Sequence, residues 1–254
     1  MHLDTLQKSR REFFFRSRKL ASSDQVIEIG PFSRPTVFAH EAEVYYADYY
    51  TTAELHDQAT QLNIPVDQVP EVFYVLKSTD LKYQVSENEF DFIIANHVLE
   101  HVIDPFRWLK DLEFALKPNG RFLITLPDKR FSFDKFRTDT SLPHFIEDFL
   151  EGGDRTISQH SLEAALYYDN GYQKKENDVT QRLQNDFLVR NRHTYHPGMH
   201  VHVFQAENFL NSVLIPFLSI GWFNLELDAF ELNAELGEFY ISLVKKDSPV
   251  NLPP

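Results

Sequence analysis

The chain has 254 residues, which is enough for one large α/β domain or for one domain with a sizeable insertion. Its formal net charge of −13 argues against a nucleic-acid partner, because phosphate backbones are bound by clustered Lys and Arg side chains. The sequence has no cysteine, which excludes disulfides and thiolate metal ligands, and it has no signal-peptide core or membrane span, so we expect a cytoplasmic location.

Helical and β-rich segments alternate through the first part of the chain. Residues 3–20 are predicted to form a leading helix, followed by a buried strand over 25–30 that ends at a Gly-Pro turn. A second strand is predicted over 43–48. A helix then begins at Thr51, where a Glu three residues later completes a capping-box pattern, and a third strand is predicted over 71–76.

The next three elements carry the strongest pattern. Residues 90–95 are apolar enough for a central parallel strand. A helix is predicted over 106–116, and a further strand over 121–126 follows the turn Lys-Pro-Asn-Gly. Strand, helix and strand at this spacing indicate right-handed parallel crossovers within an open sheet.

This alternation breaks at residues 128–200, which are polar, rich in charged and aromatic residues, and predicted to be helical or irregular. Regularity returns with a helix over 205–218. Two strands follow, over 223–232 and 238–244, and the short turn between them predicts an antiparallel hairpin. The elements therefore describe a parallel sheet, an insertion and a terminal hairpin.

Several segments resemble those of a known enzyme family. Residues 26–30, Val-Ile-Glu-Ile-Gly, are similar to a first motif, and Asp48 stands where an acidic residue ends the second strand. Residues 90–128 resemble the fourth strand, the following helix and the fifth strand of the type 11 branch of class I S-adenosylmethionine-dependent methyltransferases. Residues 28–35 and 127–134 resemble a subgroup of that branch linked with bacterial polysaccharide biosynthesis.

The resemblance implies a fold and a domain organisation. The fold is an α/β, Rossmann-like, doubly wound sheet of seven mostly parallel strands, with an antiparallel terminal hairpin and a helical or irregular lid insertion. We expect one methyltransferase domain over residues 1–254. Its parts are an N-terminal helix (1–23), a cofactor-binding half (24–128), a substrate lid insertion (129–200), and a terminal helix and hairpin (201–246).

S-adenosylmethionine is the cofactor that the resemblance implies. Gly30 lets the cofactor approach the backbone, since no Cβ blocks it, and Asp48 follows at about the spacing of a ribose-binding acid. The turn after Gly30 departs from the family, because prolines replace its further glycines. The alternative for Glu28 is a paired structural carboxylate. The residues expected to contact the cofactor are Glu28, Gly30, Pro31, Asp48, Ser78, Asn96 and His97.

Histidine is the expected catalytic base, because a neutral imidazole accepts the proton of a hydroxyl group as methyl transfer proceeds. The candidates are His97, after the fourth strand, and His200 and His202 in the His-rich segment 193–202. In an extended segment, His200 and His202 point to the same face. The alternative is a surface loop that is rich in histidine by chance.

A metal site has weaker support. His97, Glu100 and His101 share one face of a helix, and their side chains are of the types that ligate a divalent metal. Some methyltransferases of the resembled family use a similar Glu-x-x-Glu-His pattern, from which His97 departs. We therefore expect no metal, with these three residues as the alternative site.

Substrate residues are expected after the fifth strand. Asp128, Lys129 and Arg130 follow it on the carboxyl edge, where open α/β sheets bind ligands, and they suit a polar or anionic acceptor. The alternative is an ordinary charged turn.

The function that the resemblance implies is O-methylation of a sugar or glycan precursor, with a small-molecule or carbohydrate acceptor. The alternatives are methylation of another small metabolite, a non-catalytic protein with the methyltransferase fold, and an accessory partner of a glycosyltransferase. An exposed cluster of Phe13, Phe14 and Phe15 would further indicate a homodimer.

Overall fold

The computed structural model describes residues 3–77, 81–152, 157, 159–160, 163 and 198–247. Within these residues, seven strands form one sheet. The strands are β1 (Gln25–Ile29), β2 (Glu43–Asp48), β3 (Tyr74–Val75), β4 (Phe90–Asn96), β5 (Leu116–Pro127), β6 (Leu225–Asn233) and β7 (Glu238–Lys245). Their spatial order is β3-β2-β1-β4-β5-β7-β6.

The pairing of the strands is parallel through the first five and antiparallel at the end. β1 pairs with β2 and β4, β2 with β3, and β4 with β5, all in parallel, whereas β7 is antiparallel to both β5 and β6. β1 and β4 are buried almost throughout, as their apolar sequences predict for central parallel strands. The predicted α/β fold, with a mostly parallel seven-stranded sheet and an antiparallel terminal hairpin, is confirmed.

The four longer helices in the described part of the chain each begin after a residue whose side chain accepts a hydrogen bond from a free amide of the first turn. Thr51 and Glu54 form a reciprocal capping box before α2, and Asp104 caps α3, whose first residue is proline. A π-helical segment over Phe209–Leu214 joins the last two helices. The helices are α1 (Thr5–Phe14), α2 (Thr52–Gln61), α3 (Pro105–Ala115), α4 (Leu142–Glu151), α5 (Ala206–Asn208) and α6 (Ile215–Ser219).

Three element boundaries differ from the sequence prediction. The leading helix ends at Phe14, because three consecutive Phe side chains cannot all reach the sheet from one face of a helix. The third strand contracts to Tyr74–Val75, since Phe73 is exposed and pairing with β2 covers only two residues. β5 begins earlier than predicted and includes the expected turn at 117–120, where its register against β4 shifts.

Apolar layers cover both faces of the sheet. On one face Phe13, Phe14 and Phe15 pack with Phe92 and Tyr240, and each is less than a tenth exposed. Because all three Phe side chains are buried within the chain, the exposed cluster that would have indicated a homodimer does not exist.

On the other face, α3 packs against α4 and α6. The rings of Phe106 and Phe217 stack with their centroids 4.0 Å apart, and Phe145 of α4 lies beside them. α4, which belongs to the predicted insertion, is thus docked on the core. None of the helices in the part of the chain that the structure describes has both the length and the apolar character needed to cross a bilayer.

Candidate functional site

A cavity of about 520 Å³ lies at the carboxyl ends of the central strands. Gly30 after β1, Asp48 at the end of β2 and His97 after β4 all line it. Its volume falls within the range typical of small-molecule sites. Open α/β sheets bind their ligands at this edge, where the strand order reverses. The cavity therefore brings together three of the residues that the sequence singled out.

Gly30 has a backbone conformation that suits glycine. Its φ is +67°, its amide donates to the carbonyl oxygen of Ala47 at 2.8 Å, and a Cβ built on it would lie 3.0 Å from Cγ2 of Val98. A side chain here would both strain the backbone and crowd the cavity wall. This geometry agrees with the expectation that Gly30 lets the cofactor approach the backbone because it has no Cβ.

Asp48 is a buried carboxylate on the cavity wall. It accepts a hydrogen bond from the amide of Tyr50 at 3.0 Å, and burial raises the pKa of its carboxyl group. Tyr49 and Tyr50 line the cavity beside it, and the ammonium group of Lys77 lies 4.6 Å from the ring centroid of Tyr49. Neither tyrosine was among the predicted site residues, although two aromatic residues directly after a strand-ending acid were a usable signal.

Glu28 and Pro31 do not line the cavity. Glu28 is fully buried and accepts hydrogen bonds from the amide of Thr36, at 2.7 and 2.8 Å, and from that of Val37 at 3.2 Å. Burial raises its pKa to about 7, although these hydrogen bonds oppose the shift. These contacts match the alternative of a paired structural carboxylate, which holds the loop after β1 against the strand; contact with the cofactor stays a prediction.

Asn96 belongs to the same buried network. Its amide donates to Oγ1 of Thr36 at 2.8 Å and its carbonyl accepts from Oγ1 of Thr125 at 2.6 Å. It does not line the cavity, and its direct contact with the cofactor stays a prediction. Ser78, the remaining residue of the predicted cofactor set, lies outside the described residues.

His97 lies between two carboxylates. Its Nε2 is 2.7 Å from Oε2 of Glu238, its Nδ1 is 3.3 Å from Oε1 of Glu100, and its φ is +54°. Burial by itself would lower the pKa of His97, but the two carboxylates raise it to about 9. Glu238 also pairs with Arg10. At neutral pH His97 is therefore an imidazolium without a lone pair, and this geometry argues against its predicted role as base.

His101 is a neutral imidazole on the cavity wall. Burial lowers its pKa and outweighs the opposing charge of Glu100. Its Nδ1 lies 2.9 Å from the carbonyl oxygen of Met199, which can only accept. The proton of the neutral ring therefore resides on Nδ1, and Nε2 carries the lone pair. The sequence analysis assigned His101 only to the alternative metal site.

His200 and His202 do not line the cavity. Nδ1 of His200 pairs with Oδ2 of Asp134 at 2.5 Å, and its ring lies 4.8 Å from that of His101. His202 is completely buried, beside Asp148 of α4. Because neither lines the cavity, the geometry does not support a role for either as the base on the acceptor, and that role stays a prediction.

The group of possible metal ligands in the structure differs from the one that the sequence suggested, because His200 takes the place of His97. Ligand atoms of Glu100, His101 and His200 all lie within 4.8 Å of one another. His97 is not part of this group, since its two nitrogens face Glu100 and Glu238.

The charged run after β5 is bound within the chain. The guanidinium group of Arg130 donates two hydrogen bonds to the fully buried carboxylate of Asp128, at 2.9 and 2.7 Å. The ammonium group of Lys129 contacts Asp139 at 2.6 Å and donates to the carbonyl oxygen of Arg137 at 2.6 Å. None of the three predicted substrate residues lines the cavity, and their ion pairs are those of a charged turn; contact with a substrate stays a prediction.

Three residues that the sequence analysis did not select complete the cavity wall. Asp104, Arg107 and Trp108 line it at the start of α3. Nε of Arg107 donates to Oδ2 of Asp104 at 3.1 Å, while half of the Arg107 side chain remains exposed. Because capping and packing explain such residues in any helix, no signal in the sequence distinguished them.

A family profile described as Methyltransferase domain matches residues 4–211. Over 60 residues, 23% of this chain, the sequence is 35% identical to phosphoethanolamine N-methyltransferase 2 of Caenorhabditis elegans, and the match spans only 14% of that relative's length.

Solved structures of methyltransferases are similar to most of the chain. An S-adenosylmethionine-dependent methyltransferase of Mesorhizobium loti is 14% identical, with a TM-score of 0.48, over 94% of this chain and 95% of its own. A 1,6-didemethyltoxoflavin-N1-methyltransferase of Burkholderia thailandensis, solved with 1,6-didemethyltoxoflavin and S-adenosylhomocysteine, is 13% identical, with a TM-score of 0.49, over 96% and 79%. Similarities of this size assign no substrate.

Proposed function

The chain belongs to the methyltransferase-domain family and takes S-adenosylmethionine as its cofactor, and from this premise we propose that it methylates a hydroxyl group of a sugar or glycan precursor. One observation carries the proposal. A single cavity joins Gly30 and Asp48, which suit the cofactor, to the neutral imidazole of His101, which suits a hydroxyl acceptor.

The residues on the cavity wall fit S-adenosylmethionine. Gly30 leaves its backbone open to the methionine part of the cofactor, and the carboxylate of Asp48 is placed to accept hydrogen bonds from the ribose hydroxyls. Tyr49 and Tyr50 provide aromatic surface beside it. When bound, the cofactor supplies an electrophilic methyl group on a positively charged sulfur.

His101 is the proposed base for the acceptor hydroxyl. Its lone pair on Nε2 accepts the hydroxyl proton, while the hydrogen bond from Nδ1 to Met199 fixes the ring. The imidazolium of His97, held by Glu100 and Glu238, fixes the adjoining part of the wall. Alignment of donor and acceptor provides most of the remaining rate enhancement.

The acceptor side of the cavity suits a polyhydroxylated molecule. The pair of Asp104 and Arg107 offers both accepting and donating groups to sugar hydroxyls, and the buried ring of Trp108 supports this part of the wall. Gly152, at the end of α4, lines the same cavity, which supports a role of the predicted insertion in covering the acceptor. The resemblance to the polysaccharide subgroup agrees with this acceptor class.

A panel of acceptors tests the proposal. Release of S-adenosylhomocysteine is measured with free sugars, sugar phosphates, nucleotide-linked sugars, and small amines including phosphoethanolamine. We expect turnover with a sugar hydroxyl. We also expect His101→Gln to lower kcat by about 100-fold or more, with little change in cofactor affinity, as for loss of a general base. Turnover with sugars that is unaffected by His101→Gln would contradict the role of His101.

Methylation of a small amine is the second candidate. The short similarity to phosphoethanolamine N-methyltransferase 2 favours it, and the same panel decides between the two because it contains that amine. A chain that binds cofactor but methylates nothing would support a non-catalytic or accessory role, such as partnership with a glycosyltransferase. Co-purification with that enzyme is the measurement for this case.

A further inference from the structure

Four metal-ligating side chains meet away from the cavity, in and beside α4. His144 and Asp148 lie one turn apart on α4 and therefore share a face of the helix. His160 and His202 approach this face from two other parts of the chain. Every member offers a ligand atom within 4.8 Å of those of the other three. The function proposed above uses none of these side chains.

Four distances between these side chains lie near the edges of a tetrahedron around one ion, one of them to Oδ1 of Asp148 and two to Oδ2. Nε2 of His144 and Nε2 of His160 are 3.1 Å apart, and Nε2 of His160 lies 3.5 Å from Oδ1 of Asp148. Oδ2 of Asp148 is 3.7 Å from Nε2 of His144 and from Nε2 of His202. Bonds of about 2.0–2.1 Å from zinc to nitrogen or oxygen give edges of roughly 3.3–3.4 Å in a tetrahedron.

Two of these atoms are buried without a hydrogen bond. Oδ2 of Asp148 and Nε2 of His202 find no hydrogen-bond partner among the residues that the structure describes, and both side chains are fully buried. Burial of unpaired polar groups is unfavourable, so such groups usually have a partner. A cation between them would be that partner for both.

A carboxylate outside the cluster lies behind one of the four side chains. Nδ1 of His144 faces Oε2 of Glu147 at 3.5 Å, as in the carboxylate–histidine pairs that orient metal ligands.

We propose that His144, Asp148, His160 and His202 bind one structural Zn²⁺ ion. Three imidazoles and one carboxylate are a donor set for zinc in a chain that has no cysteine. All four ligands come from the protein and three of the four side chains are almost completely buried, which leaves no position for a substrate. The site is therefore closed and structural.

Zinc at this position would fix the segment that covers the loop after β4. The amides of Val201 and His202 donate to the carbonyl oxygen of Glu100, at 2.7 and 3.0 Å, and Met199 accepts from His101. Ligation of His202 thus ties α4 to the segment that orients His101. The zinc proposal stands on the cluster alone and does not depend on the acceptor proposed above.

Metal content and thermal unfolding of the full chain without an affinity tag test the proposal. The protein is stripped with a chelator, dialysed and titrated with ZnCl₂. We expect one zinc ion per chain and a rise of Tm by about 5–10 °C on zinc binding. Asp148→Asn and His202→Asn should each abolish both the stoichiometric zinc and the zinc-dependent rise of Tm.

Two controls make the assignment specific. Glu100→Gln removes the carboxylate of the other His-containing cluster and His40→Asn removes an exposed histidine, so both variants should keep one zinc ion. X-ray absorption of the zinc-loaded wild type, which needs no variant to fold, should show four nitrogen and oxygen neighbours. A wild type without zinc and without a change of Tm, zinc retained in Asp148→Asn, or a six-coordinate shell would each overturn the proposal.

Discussion

At the scale of single residues, His97 illustrates how burial and charge decide a role. Its position after β4 made it a candidate base, because this fold exposes that position to the cofactor and substrate. The pairing of both ring nitrogens with Glu100 and Glu238 instead holds a proton on the ring. A residue at the predicted place can therefore be chemically unsuited to the predicted role.

The charge on His97 makes the stability of the protein depend on pH. Because its pKa rises from 6.5 to about 9 on folding, its stabilisation is complete below pH 6.5 and is lost as the pH rises through 9. Over a third of the side chain is exposed, which screens the ion pairs, so we expect an effect of about 1–2 kcal/mol.

Urea unfolding at several pH values measures this effect. The advantage of the wild type over the double variant His97→Gln/Glu100→Gln, which removes both charges, should shrink by that amount between pH 6.5 and pH values above 9. His56→Gln on α2 should follow the wild type throughout. A constant difference between the wild type and the double variant would show that folding does not raise the pKa of His97.

Gly30 and Gly237 form a matched pair for testing the cavity. Their φ angles are +67° and +69°, and a Cβ would crowd Val98 at 3.0 Å and Phe131 at 2.9 Å, respectively. Gly30→Ala and Gly237→Ala should each lower the free energy of unfolding by about 1–2 kcal/mol relative to the wild type. Only Gly30→Ala should weaken S-adenosylhomocysteine binding, by about tenfold or more, in calorimetric titration. Equal affinities in the two variants would remove Gly30 from the cofactor site.

At the scale of elements, α1 is anchored to the terminal hairpin by a buried ion pair. Nε and Nη2 of Arg10 donate to the two carboxylate oxygens of Glu238, at 3.1 and 2.6 Å, and both side chains are almost fully buried. Glu238 also contacts His97, so the pair links α1, β7 and the loop after β4. Burial by itself would raise the pKa of Glu238, but His97 and Arg10 lower it to about 2.

Removing one partner of this buried ion pair should lower the free energy of unfolding far more than removing one partner of an exposed ion pair. We expect Arg10→Gln to lower the free energy of unfolding by about 3–5 kcal/mol, because it leaves a buried carboxylate partly uncompensated. Arg16→Gln, which breaks the exposed pair with Glu231, should cost less than about 1 kcal/mol. Urea unfolding checks both values, and similar losses in the two variants would contradict the importance of burial.

Local sequence patterns predicted the helices and strands well, but they did not predict the side-chain contacts between residues that are distant in the sequence. The bounds of β2 and the capping box before α2 follow from neighbouring residues, and the structure reproduces both. The partner of His97, by contrast, lies 141 positions along the chain, and no local pattern indicates it. For the same reason, the spacing of His144 and Asp148 was visible while their meeting with His202 was not.

At the scale of the whole molecule, strand order explains which site residues were predictable. Gly30 and His97 follow strands of the parallel half and Asp48 ends one, and parallel strands bring their carboxyl ends to one edge. Asp128, Lys129 and Arg130 also follow a strand, but internal ion pairs occupy their charges. The position of a residue after a strand therefore predicted that it lies near the carboxyl edge of the sheet. It did not predict whether the side chain is available to bind a ligand.

Calorimetric titration with S-adenosylhomocysteine tests most directly that this cavity is the cofactor site. The wild type should bind one molecule per chain with micromolar affinity. Asp48→Asn should weaken binding by about tenfold, since it removes the charge of the ribose-binding carboxylate, while Asp67→Asn at an exposed position should not. No binding by the wild type, or equal binding by Asp48→Asn, would contradict the assignment of the cavity.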